Sequence, residues 1–375
     1  MAGIYIHIPF CKQKCHYCDF YKETTVYQKS GFLKALSIEM KERNSFLMGE
    51  KIDTIYFGGG TPSVLSILDI RSILSEIDSL WDVAANAEIT MEANPDDLSP
   101  DYLNDLIQTP VNRLSIGIQA LDDEILRFLY RRHRAQQAVE VVEMAKAIGF
   151  KSISIDFIYG IPGLSLSGWK DCLSQAIQLD VDHISAYHLG IEPDTQFGRL
   201  KSQGKIKEID EEVSLEHYQI MCEMLGRAGY QHYEISNFCR PGRESRHNSS
   251  YWNNQIYLGL GPSAHSYNGT ERSWNVRNLT EYIRQLNKPV LPSESEVLSD
   301  KDRFNEMLMT KLRTQQGLSL NYLKQTFPEA FINELRNKLQ TMIDNHLLVL
   351  ENEMIRIPEK QWFVSDSLIA DLFIL

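Results

Sequence analysis

The sequence has no run of about 18 consecutive apolar residues, so we expect no membrane-spanning helix. It also has no excess of basic residues, since 38 Lys and Arg stand against 50 Asp and Glu, a net charge of −12. Binding to a phosphate backbone depends on Lys and Arg, so we expect no nucleic-acid partner. The first nine residues, MAGIYIHIP, lack both a basic and a long apolar segment. This argues against a secretory signal and predicts a cytoplasmic protein.

Cysteine is scarce, with six in 375 residues, and three of the six are crowded at Cys11, Cys15 and Cys18. Without a secretory signal we expect no disulfide framework, and clustered thiols more often bind metal. The remaining cysteines are far apart in the sequence; Cys172 and Cys222 fall in helical patterns, and Cys239 is expected in a loop.

Short β-rich segments alternate with amphipathic helical segments over the first 270 or so residues. The predicted strands are 4–8, 53–57, 88–92, 113–119, 152–160 and 183–189, and predicted helices include 32–47, 67–81, 135–149 and 168–179. Such alternation is typical of βαβ units and a parallel sheet. Six units favour a barrel or a partial barrel of (β/α)6 type, and the pattern alone does not decide whether the sheet closes.

The pattern of alternating strands and helices ends by Pro292, and we predict two domains, 1–290 and 295–375. The second is expected to contain helices at 303–314, 319–327 and 328–343, then a hairpin over 347–357 with Asn352 at its turn. This order is typical of a small helical, winged-helix-like domain. Between them, residues 240–275 are rich in Gly, Asn, Ser and aromatics, which predicts a long irregular binding loop.

The segment Cys11-Lys-Gln-Lys-Cys15-His-Tyr-Cys18 is the strongest chemical signal. Its spacing lets one tight loop aim three thiolates at a [4Fe–4S] cluster, which normally takes four, so one iron would keep an exchangeable position. A zinc site completed by His16 or His7, or a disulfide with a spare thiol, is the competing interpretation.

A CxxxCxYC segment directly after a first strand resembles the signature of the radical S-adenosylmethionine (SAM) family. Gly58-Gly59-Gly60-Thr61-Pro62 follows the second strand and resembles the family's glycine motif, whose N–H groups are expected to reach the ligand carboxylate. The resemblance extends to the branch of oxygen-independent coproporphyrinogen oxidases and implies a partial radical SAM barrel. Residues implied to contact SAM are Tyr5, Tyr17, Gly59, Gly60, Thr61, Glu92, Gln119, Arg131, Asp156 and Gly190.

Within this branch, the resemblance implies either a decarboxylating oxidase or a heme chaperone. The oxidase pattern has a further cysteine two residues after the third, where this chain has Asp19-Phe20, and it has a long N-terminal extension before the cluster loop. The segment 247–252, HNSSYW, matches the HNxxYW motif of the chaperones and offers an imidazole beside flat aromatic faces. Heme candidates are therefore His247, Asn248, Tyr251 and Trp252.

We therefore expect heme binding and transfer to an unknown acceptor, with the oxidase as the alternative; whether the chain is an enzyme stays open. A flavodoxin or ferredoxin is the expected electron donor. His188, at a predicted strand end, and His265, in GLGPSAHSY, are further candidates for the same pocket.

Overall fold

A computed structural model describes residues 1–288 and 290–374. Six parallel strands form the centre of a mixed sheet, and each pairs with the strand that precedes it in the chain. All six were predicted from the sequence, and the predictions are confirmed. Their bounds are β1 Ala2–Ile8, β2 Ile52–Gly59, β3 Val83–Ala93, β4 Arg113–Gln119, β5 Ser152–Tyr159 and β6 His183–His188.

Helices connect these strands and cover the outer face of the sheet. They are α1 Lys29–Glu42, α2 Ile67–Leu80, α3 Pro100–Leu106, α4 Asp123–Phe128, α5 Ala135–Ile148, α6 Leu166–Gln178, α7 Gln196–Ser202 and α8 Glu211–Arg227. Gly149, the last residue of the predicted helix 135–149, caps α5 with a positive φ of 112°, which glycine adopts without strain. The core lies between sheet and helices, where Ile4, Ile6 and Ile116 are fully buried. None of the helices in the described residues is long and apolar enough to cross a lipid bilayer.

The prediction of a long irregular loop over 240–275 is wrong. This part of the chain contains α9 Arg246–Trp252 and the strands β9 Tyr257–Leu260, β10 His265–Tyr267 and β11 Glu271–Asn275. Before them come β7 Gln231–Glu234 and β8 Asn237–Cys239, so Cys239 lies in a buried strand and not in a loop. These strands are too short to give a periodic pattern, and the pairing of β9 with β1 and of β8 with β6 joins them to the sheet.

The short strands extend the sheet at both edges. β9 pairs in parallel with β1, so the first strand of the chain is internal to the sheet. β10, β11 and β12 (Ser293–Val297) follow in antiparallel order, and β8 and β7 continue from β6 on the other side. The large sheet therefore extends past residue 290, the predicted end of the first domain.

The C-terminal part has the predicted order of helices followed by a hairpin. After α10 Leu279–Leu286 come α11 Asp300–Lys311, β13 Leu318–Ser319, α12 Leu320–Thr326, α13 Glu329–Asp344, β14 Val349–Glu351, β15 Met354–Arg356 and α14 Ser365–Leu372. Asn352 and Glu353 both have positive φ, 50° and 63°, as a two-residue hairpin turn requires. The short strand β13 and the final helix α14 were not predicted.

Candidate functional site

Residues from β1 through β6 line one cavity of about 610 Å³, so the sheet curves around it as a partial barrel. Barrel interiors are typically filled with branched aliphatic side chains. Here small hydroxyl and polar side chains face the cavity instead, namely Thr90, Arg113, Ser115, Ser154, His183 and Ser185. The interior is therefore polar and leaves room for a ligand.

These polar interior residues were missed in the sequence. The signal was present, because RLSIGIQ and SISIDF alternate polar and apolar residues with the two-residue period of a strand. Ile116 and Ile155 face the helices and are fully buried, whereas Ser115 and Ser154 face the cavity.

The three clustered cysteines lie in the connection between β1 and α1, and all three line the cavity. The Cys11 sulfur is 3.1 Å from the Thr61 hydroxyl oxygen, and burial raises the pKa of the Cys11 thiol to about 11. The Cys15 sulfur accepts a hydrogen bond from Arg131 Nη1 at 3.5 Å. The chain therefore brings three free thiols and a cation to one side of the cavity.

The described residues do not assemble the competing zinc site or disulfide. All six cysteines are free thiols, and no set of three sulfur, imidazole or carboxylate ligands within 4.8 Å of one another includes Cys11, Cys15 or Cys18. The two histidines considered as a fourth ligand are engaged elsewhere: His7 Nε2 with the Tyr21 carbonyl at 2.9 Å, and His16 Nδ1 with the Phe128 carbonyl at 3.2 Å. Three thiols spread around an open cavity fit a wider inorganic cluster better than a single ion.

The glycine motif packs against the cysteine loop. Gly59 has a φ of 100°, and a Cβ there would lie 2.6 Å from the His7 ring. The N–H groups of Gly60 and Thr61 donate to the carbonyls of Ile8 and Phe10, at 2.8 and 2.7 Å. In this structure these two N–H groups are therefore paired within the protein, and the expectation that the glycine motif offers N–H groups to a ligand carboxylate stays a prediction. The glycines, which have no side chain, allow the backbones of the glycine motif and of the cysteine loop to approach each other closely.

Two buried carboxylates, one on β3 and one on β5, line the cavity on either side of β4. Burial raises the pKa of Glu92 to about 7 although Tyr56 donates a hydrogen bond to it at 2.8 Å. Burial also raises the pKa of Asp156, which accepts from the Ser115 hydroxyl at 3.0 Å. Within the described residues neither acid is in an ion pair, so this side of the cavity suits a cationic ligand.

Arg131 lines the same cavity as these acids. Its Nη2 donates to Asn94 Oδ1 and to the Gly117 carbonyl, both at 2.6 Å, whereas its buried Nε has no hydrogen-bond partner in the described part of the chain. A buried donor without a partner is costly, and a ligand carboxylate would satisfy it. The remaining residues predicted to contact SAM also line this cavity: Tyr5, Tyr17, Gln119 and Gly190.

The four residues of the HNxxYW segment that were predicted to bind heme lie on helix α9, and they do not all line the same cavity. His247, Asn248 and Tyr251 line the first cavity, whereas Trp252 lines a second one. His247 is only 1% exposed, with Nδ1 2.7 Å from the Thr54 hydroxyl and Nε2 2.9 Å from the Tyr251 hydroxyl. The expected accessible loop histidine is thus a buried helical residue whose ring nitrogens are both hydrogen-bonded.

Two further histidines were considered for the pocket, and the structure separates them. His188 lines the first cavity, and its Nε2 lies 3.0 Å from the Ser214 hydroxyl. His265 is exposed on β10 and does not line that cavity.

Comparisons with known proteins agree with this architecture. The Radical SAM superfamily profile matches residues 5–176, and the HemN C-terminal domain profile matches residues 298–364. Heme chaperone HemW of Lactococcus lactis is 34% identical over 95% of this chain and 93% of its own length. Heme chaperone HemW of Bacillus subtilis is 35% identical over 88% of this chain and 87% of its own length.

Among solved structures, Escherichia coli coproporphyrinogen III oxidase (HemN), described as a radical SAM enzyme, superposes with a TM-score of 0.86. The alignment covers 99% of this chain and 90% of that one at 24% identity, and it supports the fold alone. The chain therefore belongs to the radical SAM superfamily and, within it, to the family whose curated members are named heme chaperone HemW.

Proposed function

We propose that this chain is a heme chaperone, which binds heme and transfers it to an acceptor protein while carrying a [4Fe–4S] cluster and SAM. The observation that carries the proposal is the likeness to heme chaperones along nearly the whole length of both chains. The cavity supports it, since thiols, unpaired acids and a partly unpartnered arginine meet where a cluster and a cationic amino acid derivative would bind.

In this proposal Cys11, Cys15 and Cys18 hold the cluster. Once bound, the cluster supplies an electron and an open iron position for the amino and carboxylate groups of SAM. Arg131 binds the ligand carboxylate through its unpartnered Nε, in the fork geometry that guanidinium groups favour. Glu92 and Asp156 neutralise the positive charge of the ligand and accept from its ribose hydroxyls.

Heme binding is assigned to helix α9, the segment that carries the HNxxYW motif. His247 stacks on Tyr56 with ring centroids 5.0 Å apart and is held by Thr54 and Tyr251, so in the ligand-free chain it positions its neighbours. An axial role for His247 would require one of these two hydrogen bonds to be exchanged for iron. Trp252 faces away from this group and offers its ring to the second cavity.

The proposal includes a reducing cytoplasmic location, a flavodoxin or ferredoxin as electron donor, and an acceptor of unidentified sequence. Three clustered thiols remain reduced in such a compartment, which suits an exposed iron–sulfur cluster. The alternative function is oxidative decarboxylation of coproporphyrinogen III. Phe20 stands where the oxidase pattern has its additional cysteine, and for this reason we favour the chaperone.

One experiment separates the two functions. Anaerobically reconstituted protein is titrated with heme and, in parallel, incubated with coproporphyrinogen III, SAM and a reductant. We expect saturable heme absorbance changes at about one heme per chain and no decarboxylated product. Steady conversion of coproporphyrinogen III would overturn the chaperone function, and a titration without saturation would remove its support. A Trp252→Leu variant tests whether α9 contributes to the heme site, with Trp274→Leu on β11 as its control.

A further inference from the structure

A second cavity of about 550 Å³ lies at the opposite end of the barrel from the cysteines. Arg113 and Ser152, the first residues of β4 and β5, line it together with Trp252 from α9. Residues 314–316, which follow α11, close another side. The cavity therefore lies between the amino ends of the strands and the C-terminal part of the chain.

Arg113 is the unusual residue of this cavity. Its side chain lines both cavities although the residue is only 3% exposed. Nη1 donates to the Ser152 hydroxyl at 2.9 Å, and within residues 1–288 and 290–374 no carboxylate oxygen lies within 4.0 Å of its guanidinium nitrogens. Buried arginines are normally paired, because burial of an unpaired charge is costly.

Another buried arginine shows the normal arrangement. Arg43 is 5% exposed, and its Nε lies 3.4 Å from Glu39 Oε1. Its Nη2 donates to Asn275 Oδ1 and its Nη1 to the Ser266 hydroxyl, both at 3.3 Å. Arg43 thus has a carboxylate in direct contact inside the fold, whereas in the described residues the charge interaction of Arg113 with Asp156 lies beyond ion-pair distance.

Trp252 gives a second, independent indication of a ligand. Its indole Nε1 is buried and has no hydrogen-bond partner among the described residues, and its ring lines the same cavity as Arg113. Two further arginines line the cavity: Arg243 lies 3.5 Å from Asp182 and Arg246 lies 3.7 Å from Asp53, and both are about half exposed. A flat apolar surface, an unused N–H donor and a buried cation together suit a flat ligand with carboxylate side chains.

The acidic residues that line the cavity do not cancel its preference for a ligand with carboxylate groups. Glu88 accepts from the backbone N–H groups of Arg246 and His247, at 3.1 and 3.0 Å, and from the Ser245 hydroxyl at 3.4 Å. Its negative charge is therefore used to hold the start of α9. Glu244 is only half-buried, so water screens its charge.

We propose that this second cavity binds the carboxylate side chains of a flat aromatic ligand, with Arg113 as the buried anchor. The inference rests on the proposed heme-chaperone function, in which the carboxylates are the propionates of heme. Arg113 would hold a carboxylate through the guanidinium nitrogens that Ser152 leaves free, and the Trp252 ring would contact the flat face of the ligand.

The test uses the cluster-loaded full chain and two probes, heme and heme dimethyl ester, in which both carboxylates are neutral. The variants are Arg113→Gln, Arg113→Lys and, as the control, Arg284→Gln in an exposed ion pair with Glu281. We expect wild type to bind heme more tightly than the ester. Arg113→Gln should weaken heme binding by about tenfold to a hundredfold and leave ester binding unchanged, since hydrogen bonds to charged groups contribute on that scale.

Arg113→Lys should retain part of the preference for heme, and Arg284→Gln should bind as wild type does. The melting temperature of ligand-free Arg113→Gln should not fall, because the variant removes an unpaired buried charge. Equal wild-type affinity for heme and ester, or equal losses for both in Arg113→Gln together with a lower melting temperature, would overturn this inference alone. Failure of wild type to bind either probe would instead overturn the heme-chaperone function.

Discussion

The two ends of the barrel use buried polar residues in opposite ways. At the carboxyl end of the strands, Glu92 and Asp156 have no basic partner in the described chain, and Arg131 keeps one N–H unpaired. At the amino end, His247 has both ring nitrogens hydrogen-bonded and Glu88 accepts three donors. The difference indicates that ligands complete the first end, whereas at the second end the protein itself satisfies His247 and Glu88 and leaves Arg113 and Trp252 for the proposed ligand.

The cysteine loop gives the largest expected effect, because a cluster bound by three thiolates cannot lose one of them. Anaerobic reconstitution of wild type should give about four irons per chain. In Cys15→Ala, iron content and the cluster absorbance should fall to background. Cys172→Ala, which alters a buried thiol on α6, should keep the full iron content. An intact cluster in Cys15→Ala would mean that the cysteine loop at the carboxyl end does not hold it, and the contrast between the two ends would be lost.

At the amino end, loss of an imidazole should act on stability. His247→Ala removes both hydrogen bonds of a side chain that is 1% exposed, so we expect the free energy of unfolding to fall by about 2–4 kcal/mol. Urea denaturation of the ligand-free protein measures this, with exposed His265→Ala as control. If His247→Ala unfolds like wild type but no longer binds heme, His247 acts as a heme ligand and its structural role is refuted.

The carboxyl end should show a pH dependence that the amino end lacks. The pKa of Glu92 is raised from 4.5 to about 7 in the ligand-free fold, and a cationic ligand favours the carboxylate. Affinity for SAM should therefore rise about tenfold between pH 6 and pH 8. In Glu92→Gln the affinity should be lower and nearly independent of pH over this range. Equilibrium binding measured at several pH values tests both statements, and a flat wild-type profile would contradict them.

A matched pair of small changes gives the finest comparison. Tyr251→Phe removes the hydroxyl beside His247 Nε2 and should cost about 1 kcal/mol of stability without altering SAM binding. The Tyr56 hydroxyl donates to Glu92 and lowers the pKa of that acid. Its removal in Tyr56→Phe should therefore raise this pKa and move the pH midpoint of SAM binding upward. Chemical denaturation and the binding titration, applied to both variants, distinguish the two effects. The same response from both would mean that the two ends are not distinct.

The central strands were predictable because they are short β-rich segments between amphipathic helices, as in SISIDFIYG. The rule that ligands gather at the carboxyl ends of parallel strands led to Glu92, Gln119 and Asp156, and all three line one cavity. The short strands β9 to β11 were not predictable, because three to five residues carry no period and β9, which joins them to the sheet, pairs with a strand that is distant in sequence.

The heme motif shows that residues close in sequence need not line the same site. His247 and Trp252 are close in sequence, and the predicted loop would have allowed both rings to face one ligand. In a helix, positions five apart are rotated by about 140°, whereas positions four apart are rotated by only about 40° and share a side. His247 and Tyr251 therefore face one cavity and Trp252 faces the other. Arg113 was missed for a related reason, since sequence does not show whether a charge at a strand start points outward or into the barrel.

The position of β1 has a consequence for the order of synthesis. The strand that precedes the cysteine loop is flanked by β2 on one side and by β9, at residues 257–260, on the other. A chain emerging from the ribosome thus cannot complete the neighbourhood of its first strand until more than two-thirds of it has been made. Iron and sulfide delivered before that point would meet a binding loop with one flank still missing, so we expect cluster insertion only after β9 has been made.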